Sequence, residues 1–247
     1  MCLKSPCQLP ISRRGVCISF LRGIVFAAAL VVAVGGAPAE QREDTASIRG
    51  HVKLTRTRGL PLSSNIYQPR AISERGDAPP EIRNVVVYLK RAAAAGPLPV
   101  SKTAIRQERE EFVPRVVAIT RGSTVEFPNA DPIFHNVFSL SSVKVFDLGR
   151  YPQGASKSIR FDRAGQVRVF CHIHSDMSAV IMVLANRFFT VPDEAGHYVL
   201  DSVPVGDYRI VAWHERTHQS VVHVHVTSGE TSVVDFNIPL PPPESKP

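Results

Sequence analysis

Four residues stand where metal chemistry is possible. Cys171, His174 and Met177 lie in the run Cys-His-Ile-His-Ser-Asp-Met at a C-x2-H-x2-M spacing, and His135 lies upstream on the turn after Pro132. Two imidazoles, one thiolate and a weak thioether form a ligand set suited to copper. Copper cycling between Cu(I), which favours soft sulfur, and Cu(II), which favours nitrogen, is held by such a set in a compromise that limits reorganisation. Three ligands on one short loop cannot surround an ion, so a fourth from a neighbouring loop must close the site. Zinc is the competing metal, but it prefers closed tetrahedral Cys and His sets, and a thioether is a poor zinc ligand. His172, beside the cysteine, competes for the same ion on residue type alone.

The cysteine count sharpens this reading. Cys2, Cys7 and Cys17 fall in the first 39 residues, which leaves Cys171 alone in the rest of the chain. Those 39 residues carry a basic start (Lys4, Arg13, Arg14, Arg22), an apolar run over 23–34, and Ala37-Pro38-Ala39 as a small-x-small cleavage site. This is the pattern of a signal peptide, cut after Ala39, and it implies a periplasmic or otherwise exported protein with no stable membrane insertion after cleavage. An uncleaved anchor is the alternative, against which the shortness of the apolar run speaks. A lone thiol in an oxidising compartment needs burial, a partner chain or a metal.

The elements that must position these ligands read as strands. Residues 48–54 and 85–89 are strand-like, and 55–83, rich in Pro, Gly, Arg and Ser, form a long loop. Val125 and Phe127 alternate with Thr124 and Glu126; Val167, Val169 and Cys171 share one face, expected to point inward. Residues 179–184 are a last apolar strand of this stretch. Beyond it, Tyr208, Ile210 and Ala212 alternate, as do Val222, Val224 and Val226 with His223 and His225. Those two histidines are a two-point metal patch or, more simply, solvent-facing strand residues. His214, between Trp213 and Glu215, is placed either at a domain interface or near the metal. Short strands at regular spacing with turn signals between them predict an all-β chain built as sandwiches.

Residues 104–185 resemble the plastocyanin and amicyanin family of cupredoxins. The resemblance rests on Phe112-x-Pro114, Gly122-Ser123-Thr124-Val125, Asn129-x-Asp131, His135-Asn136-Val137, Ala164-Gly165 and the short Cys171–His174–Met177 loop. It implies a Greek-key β-sandwich holding one type 1 copper per chain. His135 and His174 would bind through imidazole nitrogen, Cys171 through thiolate and Met177 axially. It implies further that Asn136 braces the two ligand loops and that redox partners dock near His174. The chain departs from that family at His172 and Ile173, where a small or hydroxyl residue and a proline are usual.

Residues 187–240 resemble the transthyretin-like fold, also known as the carboxypeptidase regulatory module. The features are Asp193-x-x-Gly196-His197-Tyr198, Val203-Pro204-x-Gly206-x-Tyr208 and the Val222/Val224/Val226 strand. Residues 46–92 fit the first hairpin of that fold. The expected organisation is therefore a signal peptide (1–39), a second sandwich built from 46–92 and 187–240, the cupredoxin (104–185) inserted between its strands, and a Pro-rich tail (241–247).

Composition narrows the function. The chain has 247 residues and a formal charge of +7, but residues 1–39 hold four basic and no acidic residues, so the remainder carries only +3. Basic residues are scattered without aromatic interleaving, which argues against nucleic acid as a partner. Only one cupredoxin-like stretch is visible and no second set of copper ligands, so the expectation is a carrier of single electrons rather than an enzyme. Copper trafficking or storage is the alternative.

Overall fold

The computed structural model describes residues 45–56, 81–92 and 96–241. The expected signal peptide, most of the 55–83 loop and nearly all of the Pro-rich tail lie outside these residues. The described residues are all-β: strands follow one another through them, and their one helical turn is Glu81–Asn84. Among them, no helix is long and apolar enough to cross a membrane.

The strands pair into sheets around two large apolar cores and a third, smaller one where they meet. Thr45–Arg56 pairs antiparallel with His197–Pro204 and parallel with Thr231–Val233 and Phe236–Leu240. Val86–Lys90 pairs with Phe189–Thr190 and with Gly206–Trp213, which in turn pairs with Ser220–Val226. These two sheets bury Ile48, Val52, Val87, Leu89, Ile210, Phe236 and Ile238 between them. The two segments flanking the central stretch thus share one core despite their separation in sequence.

The central stretch folds on its own core. Val116–Thr120, Ser178–Leu184, Gly165–Phe170, His135–Ser141 and Lys144–Tyr151 form a five-stranded sheet in that order. Ser156–Arg160, Thr124–Pro128 and Lys102–Ala104 form a three-stranded one. Ile119, Phe127, Phe161, Val169 and Ile181 are buried here, together with Cys171 and Met177. The period-2 pattern explains the inward face: Val125 and Phe127 are fully buried, while Thr124, Glu126 and Pro128 are only partly so.

Ser178–Leu184 departs from alternation, with six successive buried residues. Its two faces have different neighbours. Ala179, Ile181 and Val183 enter the central core, whereas Val180, Met182 and Leu184 meet Val86, Tyr88, Val211 and Trp213 of the flanking sheet. A strand covered on both faces must be apolar on both.

Strand Lys144–Tyr151 has no counterpart in the sequence reading. Its partly buried residues, Phe146 and Leu148 among them, alternate with exposed ones over a short stretch only, and Gly149 interrupts it with a φ of 65°. Its pairing with His135–Ser141, not its own hydrophobicity, makes it a strand.

Gly50 marks a close approach of backbones. A Cβ at this position would lie 1.7 Å from the carbonyl oxygen of Val234, which also accepts the Tyr198 hydroxyl at 2.6 Å. Because the obstacle is main chain, the strands must separate to admit a methyl group. Gly50→Ala is expected to destabilise the fold by about 3 kcal/mol in urea unfolding, the upper part of the usual range for overpacking. A change below a few tenths of a kcal/mol would show that the two backbones are not in contact.

Candidate metal centre

His135 opens strand His135–Ser141, and its position there follows from the turn before it. Asn129 builds that turn. Its side-chain oxygen accepts the Asp131 N–H at 2.9 Å, and its amide donates to the carbonyls of Ile133 and Tyr151 at 2.8 and 3.2 Å. Asp131 is thereby fixed, and its Oδ2 lies 2.8 Å from Nε2 of the fully buried His135. The carboxylate accepts the Nε2 proton, so the Nδ1 lone pair of His135 is left facing inward.

Asp131 is itself held by backbone. It accepts the N–H groups of Arg109 at 2.5 Å and Glu110 at 2.8 Å. Arg109 and Glu110 both have positive φ, 56° and 60°, in the hairpin turn between Arg106–Glu108 and Glu111–Val113. Such turns normally call for Asn or Gly, and here a buried carboxylate satisfies the amides of two residues that are neither. Burial acts to raise the Asp131 carboxyl, but these N–H groups and the His135 imidazole outweigh it and hold the group below the ordinary carboxylate range.

The other ligand loop leaves the end of Gly165–Phe170 and returns into Ser178–Leu184. The Cys171 N–H donates to the Met177 carbonyl at 3.2 Å, and the Met177 N–H to the His174 carbonyl at 3.1 Å, closing the loop on itself. Asn136 ties the two loops together: its Oδ1 accepts the His172 N–H at 2.7 Å, and its amide donates to Asp147 at 3.2 Å.

The result is a convergence of three donors. Nδ1 of His135 and Nδ1 of His174 are 3.1 Å apart, and each lies 3.9 Å from the Cys171 sulfur. A point equidistant from the corners of such a triangle lies about 2.1 Å from each, which is the length of metal–nitrogen bonds and close to that of metal–sulfur bonds. His135 and Cys171 are buried, and His174 keeps 22% of its side chain exposed. The donor set therefore fits one ion in a dry site with a single imidazole edge reaching outward. Cys171 is a free thiol, as a metal ligand requires. Met177 is 1% exposed within the core that contains Cys171.

The remaining histidines stay outside this cluster. The His172 ring stacks on Phe138 with centroids 3.6 Å apart and planes 2° from parallel, and its Nε2 lies 3.6 Å from Asp147. Alternation along the chain explains this: Cys171 points into the core, so its neighbour points out. His214 is fully buried elsewhere, with Nε2 3.0 Å from Glu81 and Nδ1 accepting the Arg216 N–H at 3.2 Å. The His214 ring is the largest influence on Glu81. Burial opposes it, and the charges of Arg216 and Arg115 reinforce it, leaving the carboxyl below its ordinary range. His223 and His225 are solvent-facing.

Two residues that hold the centre were not assigned that role from sequence. Asp131 was visible as part of Asn129-x-Asp131, four residues before the first histidine, and that spacing was the available signal. Asp147 sits on the unrecognised strand and carried none. Asp131→Ala is expected to weaken metal binding by about 10- to 100-fold, the usual cost of removing the partner that orients a ligating histidine. Competition against a chelator of known affinity would measure it, and unchanged affinity would mean that Nε2 needs no such anchor.

No family model and no curated protein matches the chain. Solved structures do. A purple cupredoxin from Nitrosopumilus maritimus aligns over 33% of this chain and 99% of its own length, at 21% identity and a TM-score of 0.31. Amicyanin from Paracoccus versutus aligns over 40% of this chain and 97% of its own, at 22% identity and 0.32. A copper-containing nitrite reductase from Thermus scotoductus SA-01 aligns over 38% of this chain and 24% of its own, at 27% identity and 0.32.

Proposed function

We propose that the protein is an exported type 1 copper protein that carries single electrons between redox partners. The observation that carries this reading is the triangle of His135 Nδ1, Cys171 Sγ and His174 Nδ1, buried but for one edge of His174. A bound copper would supply a one-electron couple. The chain's own residues do the rest. Asp131 holds the His135 ring in one tautomer and orientation, and Asn136 locks the cysteine loop to the histidine strand. The surrounding β-core limits how far the ligands can move when the charge of the ion changes. Met177, buried in the same core, would hold the ion weakly through its thioether.

His174 is the electron port, since it is the ligand with an exposed edge. Ile133, Phe134 and Ile173, each next to or close to a ligand in sequence, are exposed apolar side chains at 39%, 56% and 39%. They suit a brief contact with a partner protein better than a long-lived one. The shared core of the 46–92 and 187–240 segments supports reading them as one transthyretin-like host into which the copper domain is inserted, with no catalytic role of its own.

The test is a Cu(II) titration followed by visible absorption and EPR, then voltammetry. One copper per chain, an intense thiolate-to-copper band and a reversible one-electron wave are the expected results. Tight Cu(I) retention without a reversible wave would replace electron transfer with copper handling.

A further inference from the structure

A second site lies on the flanking sheet, away from the metal centre. Antiparallel partners face the same side of a sheet, and the register sets Lys90 opposite Arg209 and Arg209 opposite His223. Three adjacent strands therefore present a row of basic side chains, of which Lys90 and Arg209 carry a formal charge. The inward neighbours in the same strands, Leu89 and Ile210, are buried in the apolar core, so the row faces outward. Arg91 follows at a positive φ of 61°. Together with Asp207, Tyr208 and His225 these groups line a cavity of about 610 Å³.

The lining holds three formal cations, Lys90, Arg91 and Arg209, against one carboxylate, Asp207, and so carries a net positive charge. Among the described residues, no carboxylate pairs with Lys90, Arg91 or Arg209. The acidic residue present, Asp207, is engaged by Nδ1 of His225 at 2.8 Å. Lys90 and Arg209 are like charges placed directly opposite across strands and repel, which a bound anion would relieve. The cavity also begins where the sheet's contact with the central body ends, since Tyr88 and Val211 of the same strands and the same face are packed there.

We infer that this cavity binds an oxyanion of the phosphate class, with Arg209 as its central donor and Lys90, Arg91 and His223 around it. A planar guanidinium can grip two oxygens at once, a flanking ammonium adds charge, and an imidazole N–H is a further donor. The oxyanion is either free in solution or carried on a phospholipid headgroup.

The test uses the full chain at pH 7, titrated with sodium phosphate and, separately, with sodium chloride at matched ionic strength. Amide NMR shifts at Lys90, Arg91, Asp207, Arg209 and His223 should move and saturate with phosphate and not with chloride. Arg209→Gln should weaken phosphate binding by about tenfold or more, the loss of one charge-assisted bidentate contact. Arg168→Gln removes the same charge from an exposed position on another sheet and should leave binding unchanged. Lys90→Gln, at an exposed side chain, gives the same reading should the Arg209 variant fail to fold. Sedimentation with phosphatidylcholine vesicles, with and without phosphatidylglycerol, separates the sources. Phosphate binding alone assigns a free oxyanion, and Arg209-dependent vesicle binding assigns a headgroup. Equal responses to phosphate and chloride, or equal losses in the Arg209 and Arg168 variants, would overturn the inference.

Discussion

Cys171→Ser is expected to remain colourless when Cu(II) is added, with the intense thiolate-to-copper band and its EPR signature lost. The band requires a sulfur bonded to the ion, and a serine hydroxyl neither ionises at neutral pH nor offers a soft donor. His135 and His174 would still face the same point, their Nδ1 atoms 3.1 Å apart, so some copper would bind through imidazole alone. The variant should nevertheless fold. Cys171 is 5% exposed, and a buried hydroxyl lacking a good partner costs about 1–3 kcal/mol, within the reach of a domain of this size. Circular dichroism would verify the fold while absorption reads the metal. A band that survives in the variant, or that is missing from the parent protein, would remove Cys171 from the ligand set and with it the electron-transfer reading.

Phe161→Ala is expected to cost about 3–5 kcal/mol in urea unfolding, the range for removing a large aromatic from a core that cannot collapse to fill the space. Phe161 is fully buried and meets Phe146 edge-on at 6.3 Å, and Phe146 lies 6.4 Å from Phe127. Its backbone is committed as well, donating to the Ser123 carbonyl at 2.9 Å and accepting from Gly122 at 2.7 Å. The same core contains Cys171 and Met177. A cavity there should therefore also broaden the EPR lines of the copper-loaded variant by loosening the ligand loop. A loss below about 1 kcal/mol would mean that the aromatic cluster is not packed to ordinary core density.

Much of the centre was legible before any fold was known. Cysteine counting isolated Cys171, the C-x2-H spacing placed His174 on the same loop, and the turn after Pro132 singled out His135. These inferences need only residue type and short-range spacing. The inward face of Val167, Val169 and Cys171 was equally accessible, because alternation is a local property. Strand Lys144–Tyr151 was not, since its pattern is weak and its order is imposed by the neighbour it pairs with.

Residue types and periodicity by themselves therefore determined an all-β chain with one sulfur and two imidazoles available to a metal. The tertiary structure decided which atoms meet. It turned Nδ1 of both histidines toward the sulfur, gave Nε2 of His135 to Asp131, and carried His172 away onto Phe138. It also set Lys90, Arg209 and His223 in one row across three strands, residues more than a hundred positions apart in part. The physical reason is common to all of these. A side chain's direction follows from backbone alternation, but its partner follows from strand register, and register is fixed by long-range packing that no local pattern records.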